Sequence, residues 1–186
     1  ASVVTDNIKH FDENGIQLKS GDRIDCDVIV TATGFELSVM GEIPFSVDGQ
    51  GFSFAETVSY RGILFTGVPN LAWVYGYGRY SWTLRAELIA QFVCKLLQHM
   101  QDSNVASVMP AIRAEDIDMQ LLPWTDLKDM NAGYAIRSVD RMPKRGSKPE
   151  WQHSQDYLYE SEVLPSVDFS DEIFVYASSD QHTQHN

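Results

Sequence analysis

Two stretches of this chain place glycine beside groups able to donate hydrogen bonds, and each sits where a regular element begins or ends. The first is Asp27-Val28-Ile29-Val30-Thr31, followed by Ala32-Thr33-Gly34-Phe35. A short β-branched run suits a strand buried on both faces, as in a parallel sheet. Glycine directly after such a strand lets backbone pass close to a ligand, and in open α/β folds ligands sit at the carboxyl ends of the strands. The plainer reading of Gly34 is a tight turn leaving a strand. The second stretch is Gly76-Tyr77-Gly78-Arg79-Tyr80-Ser81-Trp82-Thr83-Leu84, just ahead of a helical pattern. The first N–H groups of a helix have no internal partner, so its start suits an anion or a developing negative charge. The plainer reading is an aromatic core cluster leading into a core helix.

Other polar groups carry less. His182 and His185 have a His-x-x-His spacing but lie in a polar tail, so no metal site is expected. Asp116 and Asp118 form no evident acid–base pair. Cys26 and Cys94 belong to no close-spaced pair and are read as small apolar core residues in a reducing compartment. No residue of the chain is singled out as catalytic.

The elements that must position these groups follow from pattern. Residues 1–12, Asn14-Gly15 and Ile16–Lys19 predict a hairpin. Phe45-Ser46-Val47, Asp48-Gly49 and Phe52 predict another, and Ile63-Leu64-Phe65-Thr66 a buried strand. Leu84, Leu88, Phe92 and Leu96 recur every four residues, with Ile89, Val93 and Leu97 beside them. That predicts a long buried helix from Ser81, its N-cap, to about Met100, ending near Asn104. Residues 105–160, punctuated by prolines, read as irregular. From Glu150 onward there is no Lys or Arg, and the segment from 178 reads as polar and disordered.

The chain has 186 residues, 44% apolar and 22% charged, as expected of a folded globular domain. Lys plus Arg number 14 against 26 Asp plus Glu, for a formal charge of -12, which argues against nucleic acid as a partner. No apolar run approaches the ~20 residues needed to span a bilayer. Starting at Ala1 rather than Met, the chain reads as a cytoplasmic piece of a longer protein.

The order of motifs says more than either alone. Asp27 to Phe35, Tyr60-Arg61-Gly62, Gly67-Val68-Pro69-Asn70-Leu71-Ala72, Gly76-Tyr77 and Ser81-Trp82-Thr83-Leu84 closely resemble the C-terminal part of flavin-containing monooxygenases, most of all the Baeyer–Villiger group. The likeness continues through Phe92 to Leu97, Gly133 to Ser138, Pro143 to Ser147 and Trp151-Gln152, reaching Leu158. It implies an α/β fold, the C-terminal part of a flavoprotein with two nested Rossmann-like dinucleotide-binding domains. Residues 1–35 would cross from the NADPH domain to the FAD domain, and 36–104 would close the FAD domain. Residues 105–160 would form a C-terminal extension and 161–186 an acidic, partly disordered tail.

The implied cofactors are FAD and NADPH. NADPH would reduce the flavin, and one oxygen atom of O2 would pass to a ketone or to a sulfur or nitrogen centre. The cofactor-binding residues would be Thr33 and Gly34 at the crossing, and Ser81, Trp82, Thr83 and Leu84 facing the flavin ring, whose pyrimidine edge gains negative charge on reduction. Tyr77 and Trp82 would help shape the flavin or substrate wall. The basic residues Arg137, Arg141, Lys144, Arg145 and Lys148 read as a solvated loop, or else approach the NADPH phosphate. No glycine-rich dinucleotide fingerprint occurs, so the partner required is the upstream FAD- and NADPH-binding part of the same enzyme. Gly78-Arg79-Tyr80 is bulkier than the small polar residues the family pattern has there. A flavin enzyme of the disulfide-reductase kind, or a non-catalytic fragment acting by association, remain the alternatives.

Overall fold

The computed structural model describes residues 1–34, 36–78, 80–126 and 132–178. Phe35, Arg79, His182 and His185 therefore lie outside the described residues, as does the polar tail beyond Ser178. The chain divides into two units, Ala1–Phe35 and Glu36–Asn186.

In the first unit the expected hairpin forms. Strands β1 (Ile8–Asp12), β2 (Gly15–Leu18) and β3 (Arg23–Asp25) make an antiparallel sheet in that order. The turn residues are Glu13 and Asn14, and Gly15 already pairs with Asp12, so the turn comes one residue earlier than the Asn-Gly pattern predicts. Arg23 reaches across the sheet and donates to both carboxylate oxygens of Asp12 at 2.8 and 2.7 Å. Little is buried apart from Leu18. The strand expected over Asp27–Thr31 is absent: these residues are unpaired coil, with Val28 76% and Val30 85% exposed. A parallel strand needs hydrogen-bonding neighbours, and no described strand lies alongside this run. Cys26 is only partly buried and Cys94, on the second unit, is exposed, so neither fills a core as expected.

The second unit begins with a hairpin, β4 (Ser46–Val47) and β5 (Gln50–Gly51). Its turn residues Asp48 and Gly49 both have positive φ, 51° and 77°, which is why Asp-Gly occupies it. Strands β6 (Ser59–Tyr60) and β7 (Leu64–Phe65) follow as an antiparallel pair, and β7 is buried as the Ile63–Thr66 run predicts. Helix α1 spans Trp82–Asp102, with Ser81 at its N-cap position. Asn104, with φ 52°, ends it by letting Val105 N–H donate back to Met100 O. The remaining elements are β8 (Ser107–Pro110), β9 (Leu121–Pro123), α2 (Gly133–Ser138), β10 (Lys144–Gly146), α3 (Tyr157–Val163) and β11 (Phe174–Ala177). β9 pairs with β10, and β8 with β11, both antiparallel.

The chain thus mixes helix and strand as expected, but among the described residues its sheets are small and antiparallel, with one isolated parallel bridge between Val58 and Lys144. No helix of the described residues is long and apolar enough to cross a membrane.

One core is built on α1. Leu88, Ile89, Phe92, Leu96 and Met100 pack against Tyr60, Ile63, Trp151 and Phe174. The apolar stripe is narrower than its spacing suggests, because Leu97 is 57% exposed. A second core gathers Phe54, Phe65, Trp124 and Met142. Residues 161–177, expected to belong to an acidic and partly disordered tail, instead close the first core. Leu164, Phe169, Ile173 and Phe174 are buried, and the Phe169 ring lies 5.2 Å from Phe92. Each such side chain contributes about 1.5–3 kcal/mol by leaving water, enough to hold an acidic segment down.

Leu164→Ala should accordingly cost about 2–5 kcal/mol in urea denaturation. A loss below about 0.5 kcal/mol, typical of a surface change, would remove this segment from the core.

Candidate functional site

The start of α1 is the most exposed part of the helix that sequence patterning places at a ligand. Ser81, Trp82 and Thr83 are exposed and Leu84 is half-buried. The Ser81 side chain makes no cap hydrogen bond; its hydroxyl lies 2.8 Å from that of Thr83. The helix start is therefore not closed by its own N-cap side chain, and two hydroxyls sit together beside the first turn. The Trp82 ring packs edge-on against Tyr75 at 5.2 Å. This closeness needs glycine at 76, where a Cβ would come within 2.3 Å of the Trp82 ring. Thr33 and Gly34 belong to the first unit, where both are exposed and Gly34 has a φ of 82°.

One turn into α1, sequence reasoning missed the group on which this region is built. Arg85 is fully buried, and its Nε and Nη2 donate to Glu160 Oε2 and Oε1 at 2.8 and 3.1 Å. Its remaining donors reach Tyr75 O at 2.6 Å and Arg61 O at 2.7 Å. Glu160, on α3, also accepts from Tyr77 Oη at 2.6 Å and from Ser154 N–H at 3.2 Å. Burial and the hydrogen bond to Glu160 push the Tyr77 phenol well above its ordinary pKa. A signal was present, since Arg85 precedes Leu88 and Ile89 by three and four residues and so shares their buried face.

Beside this network lies a cleft of about 390 Å3 lined by Tyr75, Gly78, Trp124, Arg145, His153 and Gln155. Gln155 Oε1 accepts from Gly78 N–H at 2.7 Å. His153 stacks on Trp124, with ring centroids 4.1 Å apart, and its buried Nδ1 has no hydrogen-bond partner. Burial, with Arg85 and Arg145 nearby, pushes its pKa down to about 3.

Several basic residues of the 137–148 run are held in ion pairs. Arg141 meets Glu36 at 3.1 Å, Arg145 meets Asp126 at 3.1 Å, and Lys148 meets Asp116 at 3.4 Å. Asp116 is buried, and it pairs with Arg113 at 3.1 Å rather than with Asp118. Burial alone would raise its pKa, but hydrogen bonds from Arg113 and Lys148 outweigh that and hold it low. Among the described residues no three His, Cys, Asp or Glu side chains cluster closely enough to hold a metal ion.

The chain is similar to known flavin enzymes. It is 38% identical over 164 residues to the FAD-containing monooxygenase EthA of Mycolicibacterium smegmatis, covering 88% of this chain and 32% of that protein. The EthA of Mycobacterium tuberculosis is 36% identical over 170 residues, 91% of this chain and 34% of its own length. The "Probable FAD-binding monooxygenase AlmA" of Acinetobacter baylyi is 36% identical over 171 residues, 92% of this chain and 34% of its own. The chain thus spans about a third of the length of the relatives it matches. No family model matches it.

His153 makes stability depend on pH. Its folded pKa lies near 3 against about 6.5 unfolded, so between these values the unfolded chain binds a proton that the folded chain refuses. Stability must fall as pH drops through 6.5. Asp116, with a lowered folded pKa, adds its loss only below about 4. His153→Phe, which keeps a ring on Trp124, should flatten the decline in melting temperature between pH 7 and 5. An unchanged slope would mean that the imidazole is not shielded.

Proposed function

Since the chain belongs with the FAD-containing monooxygenases, we propose that it is the C-terminal portion of one. The whole enzyme uses FAD and NADPH and inserts one oxygen atom from O2 into a ketone, in the Baeyer–Villiger manner, or onto a sulfur or nitrogen centre. The observation that carries this reading is similarity over about nine-tenths of the chain to three proteins named as FAD-containing or FAD-binding monooxygenases, each matched over only a third of its length.

The residues at the start of α1 fit a flavin edge. Ser81, Trp82 and Thr83 are open, and the Ser81 side chain leaves the first backbone N–H groups uncapped. Such N–H groups suit the electron-rich edge of a ring system, with the half-buried Leu84 next in the same turn. When bound, the flavin supplies electron storage and the reaction with dioxygen. The chain's own contribution at the start of α1 is to bind and orient, through hydroxyls from Ser81 and Thr83 and a wall from the exposed Trp82; Tyr77, buried with its hydroxyl on Glu160, lies behind this surface rather than in the wall. In the first unit, the exposed Thr33-Gly34 offers backbone for close approach to a ligand.

The NADPH phosphate is assigned to the upstream part, because Arg141, Arg145 and Lys148 are already paired with carboxylates. The same upstream part supplies the strands that the exposed Val28-Ile29-Val30 run would join, completing a Rossmann-like sheet. A cytoplasmic setting belongs to the same reading.

Two measurements test it. The purified 186-residue chain should show no visible flavin absorbance and no NADPH oxidation. Tightly bound yellow cofactor with turnover would mean that this segment builds a complete site by itself. In the whole polypeptide, Thr83→Pro removes one N–H from the first helical turn, where proline is tolerated. It should weaken FAD retention about tenfold, the scale of one buried hydrogen bond. Unchanged retention with unchanged helix content would remove Thr83 and its neighbours from the flavin site.

A further inference from the structure

We propose that Arg85 and Glu160, with Tyr77, are positioning residues that lock the start of α1 in place for the flavin. This rests on the reading of Ser81–Leu84 as flavin-facing. The geometry is that of a clamp rather than a simple ion pair. The Arg85 guanidinium joins three separate pieces of chain: the Tyr75 carbonyl ahead of α1, the Arg61 carbonyl in the β6–β7 turn, and the Glu160 carboxylate on α3. Tyr75 in turn carries the ring against which Trp82 packs. Glu160 takes the Tyr77 hydroxyl as well, and Gln155 takes the Gly78 N–H. The glycine-bearing lead-in to α1 is thereby bracketed at Tyr75, Tyr77 and Gly78, immediately before the residues that would meet the ring. Glycines at 76 and 78 leave this lead-in free to bend, so its shape must be imposed from outside, and α3 imposes it.

Lysine separates the clamp from the charge. Arg85→Lys keeps a cation for Glu160, but a single ammonium cannot span the carboxylate and two carbonyls in the way a planar guanidinium does. The variants are made in the whole monooxygenase polypeptide, with circular dichroism and melting temperature recorded to confirm folding. Free FAD is the probe, and the readouts are its dissociation constant and the visible spectrum of the bound flavin. Arg85→Lys should raise the dissociation constant about tenfold and shift the spectrum, on the scale of one or two lost hydrogen bonds. Tyr77→Phe leaves no charge unpaired and should act in the same direction, more weakly. It decides the question if Arg85→Lys fails to fold.

Wild-type affinity and spectrum in the folded variants, with Thr83→Pro still impaired, would overturn the clamp and leave the flavin reading intact. If Thr83→Pro is also without effect, the flavin reading falls and the clamp falls with it.

Discussion

A guanidinium with no solvent exposure, against a carboxylate with 5%, is the constraint around which the second unit is arranged. Removing two charges from water is costly, and their mutual attraction offsets the cost only if the remaining donors and acceptors are also satisfied. Here they are. Every nitrogen of the Arg85 guanidinium has an acceptor, and Glu160 takes donors from Arg85, Tyr77 and Ser154. Those partners come from five places in the chain, so satisfying one buried ion pair obliges α1, α3, the β6–β7 turn, the aromatic lead-in and the segment at Ser154 to meet. Removing a single partner from such a pair typically costs about 3–5 kcal/mol, a large share of the stability of an ordinary domain. The apolar packing on α1 supplies the drive to fold; this network selects the one arrangement in which the drive is not cancelled by a stranded charge.

Local patterns carried much of the fold. The four-residue spacing of Leu84, Leu88, Phe92 and Leu96 specified α1, and Asn104 marked its end through a conformation that asparagine tolerates. Asp48-Gly49 specified its hairpin because both positions need positive φ. What failed was everything decided at a distance. The acidic segment after Glu150 has no periodic apolar pattern, yet Leu164, Phe169, Ile173 and Phe174 find places in the core through an irregular path and the β8–β11 pairing. Cys94 falls on the outer face of α1, where composition alone says nothing of orientation.

The candidate site was legible in the same uneven way. Ser81 to Leu84 stood out because a glycine-bearing lead-in ahead of a helix is a local feature. Arg85, the next residue, did not stand out, because its meaning depends on Glu160, 75 positions further along. His153 was missed for a related reason. Its unpaired Nδ1 and its stacking on Trp124 come from the way the 152–155 segment crosses the second core, which no spacing in the sequence reveals. The basic run illustrates the converse. Its charges are evident from the sequence, but several of them are neutralised by carboxylates that the fold delivers.

The Asp27–Thr31 run makes the general point most directly. Its residues are those a buried strand would have, and its exposed valines give it no other evident packing role. Strand propensity describes fitness for a pleated, half-buried surface rather than a preference that a residue enforces on its own backbone. With no adjacent strand to supply hydrogen bonds, the run is coil, while β4–β5, with far less apolar character, is a strand because its turn brings it a partner. The same logic separates the two units. Glu36–Asn186 contains the apolar side chains and the charged partners needed to close its own cores, whereas the three strands within Ala1–Phe35 bury little beyond Leu18. An Asp-Val-Ile-Val-Thr run becomes a strand only where a neighbouring strand edge is offered to it, and among the described residues none is paired with it.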